Sequence, residues 1–109
     1  MIVDDRKVEI ALDYLNADPA PVALARKEVT DAENECKRCW AKAYLEAQGS
    51  VEYRKAKAET DAGYNGAQDE YAEAVRKLEN ERSRVRGAEM LIEAWRTEQS
   101  NIRAAERLR

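Results

Sequence analysis

Cys36-Lys37-Arg38-Cys39 is the one stretch of this 109-residue chain with the spacing of a metal-binding or redox dithiol. A structural zinc ion needs four ligands. The chain has no histidine and only these two cysteines, so a single copy cannot close such a site, although two copies sharing four thiolates would. A redox dithiol wants its first cysteine at a helix N-terminus, where the dipole lowers the thiol pKa. Both cysteines fall instead in the middle of a helical repeat, on apolar positions, where cysteine serves as a small hydrophobic residue. Buried core is therefore expected for both. The lack of histidine also removes the commonest general base and every Ser-His or Cys-His pairing. The carboxylates Glu33/Glu35, Asp69/Glu70/Glu73 and Glu79/Glu81 read as solvated helix faces. Glu73 and Lys77 have the favourable i,i+4 order of a surface pair. Gly63 and Gly66 lack the lysine and the preceding strand of a phosphate loop. The expectation is a protein without catalytic residues, cofactor or metal.

Arginine is the other chemistry-bearing residue. Residues 1–75 hold 10 Lys and Arg against 16 Asp and Glu, whereas residues 76–109 hold 9 against 6. Arg82, Arg84 and Arg86 form the densest run, and Arg96 follows Trp95. On a helix Arg82 and Arg86 share a face while Arg84 points elsewhere. These four are the candidate contacts to a single-stranded nucleic acid, with phosphates following the charges and a base stacking on the indole. Pairing of the basic tail with the acidic front between copies, or simple solvation, is the simpler role, and the helical seam also claims Trp95.

The elements that would carry these residues are all helical. Tyr64, Ala67, Tyr71, Ala74, Leu78, Glu81, Val85, Ala88, Ile92, Trp95, Gln99 and Ile102 follow a seven-residue repeat, interrupted only by Glu81 and Gln99. That is the seam of a long helix lying against another helix. Upstream, Asp4 or Asp5 can cap a short helix over 4–15, which Pro19 and Pro21 terminate. A second helix over 21–48 carries Val22, Ala25, Val29, Ala32, Cys36, Cys39 and Ala43. Gly49 suits its left-handed end and Ser50 the cap of the next helix. So short a connection predicts an antiparallel, coiled-coil-like hairpin. The third helix is expected to run unbroken over 51–106, with Gly63 to Gly66 as the place for a kink.

The fold class expected is thus all-α in a single domain over 1–109. Alanine fills much of the apolar share, so the core is thin. The second helix covers only half of the third. Leu78 to Ile102 then needs the N-terminal helix or another subunit, and a homo-oligomer is expected with Leu78, Val85, Ile92, Trp95 and Ile102 as the interface. There is no signal peptide and no apolar run of membrane-spanning length, so a soluble intracellular protein is expected, with no membrane partner.

Two stretches resemble paired landmarks of a family of small bacteriophage proteins. The first is Gln48-Gly49-Ser50-Val51-Glu52-Tyr53-Arg54-Lys55-Ala56; the second is Ile92-Glu93-Ala94-Trp95-Arg96-Thr97-Glu98-Gln99-Ser100-Asn101-Ile102-Arg103. Tyr64 and Tyr71 resemble the family's tyrosine pair between them, and Asn65-Gly66 departs from its pattern. Members tend to be encoded near phage recombination and single-strand annealing genes. The resemblance implies a non-enzymatic accessory protein of phage DNA metabolism in the cytoplasm of an infected bacterial host, and it maps no catalytic residues. The leading expectation is a scaffold that binds a phage or host protein through its helix faces. Single-strand binding by the arginine-rich tail and capture of a host factor as an anti-defence protein are the alternatives.

Overall fold

A computed structural model describes residues 3–108. Among the described residues there are four helices and no strand: α1 (Asp5–Leu15), α2 (Pro21–Glu46), α3 (Val51–Glu59) and α4 (Ala62–Arg107). The protein is all-α.

Local chemistry sets each boundary. Asp4 stands in extended backbone and its carboxylate accepts from the Arg6 amide at 2.9 Å, supplying one of the orphan donors of the first turn of α1 with a partner. Pro21 opens α2, where its missing N–H costs nothing. Gly49 has φ +126°, a conformation that side-chain-bearing residues resist, and Ser50 then caps α3 by accepting from the Tyr53 amide at 3.2 Å.

The unbroken helix expected over 51–106 is two helices. The break lies at Thr60-Asp61, ahead of the glycines. The Thr60 hydroxyl donates to the Ala56 carbonyl at 2.8 Å, and the Asp61 carboxylate accepts from the Tyr64 amide at 3.0 Å. One side chain ends α3 and the next begins α4. Gly63 and Gly66 therefore sit in the opening turns of α4, and no break occurs at them.

The single domain expected divides into two compact units. Unit 1 joins the chain up to Val22 with the chain from Asn80 onward; unit 2 is Ala23–Glu79. In unit 1, α1 lies on α4. Val3, Val8 and Ala11 are buried with Ala88 and Ile92, and Tyr14, Leu15, Leu91 and Trp95 pack around them. In unit 2 the buried residues are mostly small: Ala25, Ala58, Ala67 and Ala74, with Leu78 the largest. Ala58 is 0% exposed. Residues of α2 and α4 that meet there run in opposite chain order. Glu28 faces Lys77 at 4.0 Å, Glu33 and Cys36 share a cleft with Gln68 and Tyr71, and Cys39 and Ala43 share one with Asp61 and Gly63.

Two expectations about side chains change accordingly. Leu78 and Ile92, expected to anchor a second subunit, are buried within this chain, Ile92 under α1. The N-terminal helix supplies cover at Ile92 that was otherwise looked for in another copy. Cys36 and Cys39, expected in the core, are half-buried free thiols, because their face of α2 borders open clefts.

Candidate functional site

In unit 1 the polar contacts fasten α1 along α4. The Tyr14 hydroxyl donates to the Glu81 carboxylate, and its ring lies under the Arg84 guanidinium, 4.4 Å from ring centre to Cζ. Arg84 in turn reaches the other Glu81 oxygen at 3.2 Å. Burial first, then the Glu81 bond and charge, push the Tyr14 phenol above its ordinary pKa, while Arg84 pulls the other way. The Trp95 indole donates to Asp5 at 2.9 Å, and the Val3 amide donates to Glu98 at 2.7 Å. Glu81, the interruption of the apolar repeat, is thus a fastening point.

These contacts decide what the candidate arginines do. Arg84 is occupied by Tyr14 and Glu81, and Arg86 bonds the Ser83 hydroxyl at 3.1 Å. Arg82 is half-buried and also engaged. Arg84 and Arg86 are nonetheless exposed. Arg96 is exposed and lines a shallow cleft with Trp95, Gln99, Ser100 and Arg103.

The interface residues separate in the same way. Leu78 and Ile92 are buried, Val85 and Trp95 half-buried, and Ile102 is 45% exposed. From 101 to 108 every residue is exposed, ending in Leu108 at 89%. A cleft of about 420 Å³ runs along this part of α4, lined by Val3, Ala94, Thr97, Glu98, Asn101, Ile102 and Ala105. Its floor is mostly apolar, and Ile102 stays open to solvent along it.

No family model, curated protein or solved structure matches this chain.

Unit 2 holds a second surface, one that the repeat did not reveal. Trp40 and Tyr44, one turn apart on α2, stack with ring centres 5.2 Å apart and planes 11° apart. Arg54 of α3 places its guanidinium over the Tyr44 ring at 4.3 Å and donates from Nε to the Tyr44 carbonyl at 3.2 Å. Beside this ladder, Cys36, Lys37, Trp40 and Tyr64 line a cleft of about 350 Å³. The sequence signal was the i,i+4 spacing of Trp40 and Tyr44, which the seven-residue repeat does not single out.

The thiols belong to the same region. The Cys39 Sγ lies 3.5 Å from Glu35, and burial, then that carboxylate, with the charges of Glu35, Asp61 and Cys36, raises its pKa. Cys39 is held as a protonated thiol, the opposite of an activated thiolate. Among the described residues no group of three or more His, Cys, Asp or Glu is placed to hold a metal ion. No described helix is long and apolar enough to cross a membrane.

Proposed function

We propose that this chain is a non-enzymatic accessory protein that works as a helical protein–protein interaction module and self-associates through the far end of α4. One observation carries the reading. Ile102, with Ala94, Ala105 and Val3, makes an apolar cleft on α4 beyond the cover that α1 provides. Helical turns without tertiary contacts are marginal in water, so a partner that buries this face would stabilise the helix it binds. A second copy suits the charge pattern: the first 75 residues are acidic and the remainder, which contains the part of α4 that lines the cleft, is basic. The antiparallel hairpin and its oligomeric seam, expected from the repeat, are the finer form of this reading. The surface in question shifts from Leu78 and Ile92 to Ile102. The setting, phage DNA recombination in an infected bacterial cytoplasm, is supported by the family resemblance alone.

Light scattering tests the proposal. The native chain is expected at a multiple of its 12.4 kDa mass. Ile102→Asp should return it to that mass with its helicity intact, because Ile102 is not part of the monomer core. A native protein that stays at single-chain mass at every concentration removes self-association and sends the search to a different partner.

A further inference from the structure

The geometry points to the aromatic end of unit 2, around Trp40, Tyr64 and Lys37, as a contact site for single-stranded nucleic acid. The inference is separate from the self-association reading and uses a different surface. Sequence-independent single-strand sites combine π-faces, on which bases stack, with cations that follow the phosphates. Both are present here in fixed positions. Tyr44 backs one side of Trp40 in a near-parallel stack, and Arg54 lies over the Tyr44 ring, so the three side chains form one cluster. The cleft against Trp40 brings in Tyr64 from α4 and Lys37 from one turn earlier on α2. Its volume of about 350 Å³ lies within the usual range of small-ligand pockets, and its open form suits one base of a longer strand.

Cations for the phosphates stand among carboxylates: residues 33–61 hold six Lys and Arg against six Asp and Glu, within a front half that is acidic as a whole. Lys37 faces Glu33 at 3.7 Å and Arg38 faces Glu35 at 2.7 Å, both on exposed surface. Such pairs hold their partners weakly, so a phosphate competes for Lys37 at little cost. Lys42 lines the neighbouring cleft with Cys39, Ala43, Glu46 and Asp61, and Lys55 and Lys57 lie on exposed positions of α3. An acidic peptide would satisfy the cations and leave the rings unused. A strand uses both.

Cys36 lines this cleft and Cys39 lines another, which provides a local reporter. The test uses the full chain and a labelled oligothymidylate, followed by fluorescence anisotropy across a salt series. Binding is expected to weaken as salt rises, with Trp40→Ala lowering affinity about fivefold or more. The surface pair Lys37→Glu with Lys42→Glu leaves the core untouched and should weaken binding at least as much. In Cys39→Ser protein, the oligonucleotide should slow maleimide labelling of Cys36. Absence of binding at low salt would overturn the proposal. So would unprotected Cys36, equal competition by polyglutamate, or loss of binding only on replacing Arg96 and Arg103, which would move the site to α4.

Discussion

Replacing Tyr14 by phenylalanine isolates one hydroxyl that fastens α1 to α4. The ring remains, so the Arg84 guanidinium keeps its contact with the aromatic face and the apolar packing around Val8 and Ala11 is kept. What is lost is the bond to the Glu81 carboxylate. Hydrogen bonds to charged groups contribute about 1.5–3 kcal/mol. The Glu81 side chain is 22% exposed and retains Arg84 at 3.2 Å, so water and the guanidinium recover part of the loss. The expected cost is about 1–2 kcal/mol. Urea unfolding followed by circular dichroism measures it, and hydrogen exchange at α1 amides reads unit 1 separately. Glu81→Gln and the double variant complete a cycle whose coupling should be of the same order. The pH dependence has a definite sign. The folded state raises the Tyr14 pKa above 10.0, chiefly by burial and then through Glu81. The contribution is therefore complete below pH 10 and is lost as pH rises through the folded value, where phenolate would face carboxylate. A Tyr14→Phe variant as stable as the native chain at neutral pH, or α1 exchange unchanged by the substitution, would refute the clamp.

Two further outcomes follow from burial and backbone. Ile92→Ala should cost about 2–5 kcal/mol of stability, since it leaves a hole under α1, whereas Ile102→Ala should cost under about 1 kcal/mol in the monomer. Thermal melts of the two variants check the ranking. Gly49→Ala should destabilise by about 1 kcal/mol or more because φ is +126°, while Gly66→Ala and Gly87→Ala should each stabilise by about 0.5–1 kcal/mol, having open space for a methyl group within α4. Urea midpoints of the three variants separate the two signs.

Boundaries that depend on neighbouring residues were readable from sequence. Asp4, Pro21, Gly49 and Ser50 act within four residues of where they stand, so their chemistry announces itself. Thr60-Asp61 is equally local, a hydroxyl that turns back and a carboxylate that caps, but the two glycines a few residues on carried the stronger warning and drew the break toward themselves. The functional surfaces were less legible for a different reason. Glu81 looked like a defect because Tyr14 lies 67 residues away. The Trp40, Tyr44 and Arg54 cluster follows from the turn at Gly49-Ser50, which returns Arg54 to α2, but the seven-residue repeat gave no cause to look outside the seam. Leu78 and Ile92 carried the repeat faithfully; the pattern does not say whether the covering face belongs to the same chain.

The division of the chain also sets an order of events during synthesis. Unit 2 is contiguous and its contacts can close as the ribosome delivers them. Unit 1 cannot do so, because α1 and Val3 ahead of it meet their partners 67 to 95 positions later in the chain, at Glu81, Trp95 and Glu98. At about 5–20 residues per second, making the intervening unit takes about 3–11 s, during which Val8 and Ala11 have no α4 to cover them. Until then α1 is an amphipathic segment whose apolar face has no cover. Its exposure ends only when the last stretch of α4 emerges, so a stalled or truncated chain would display the surface that the finished protein hides.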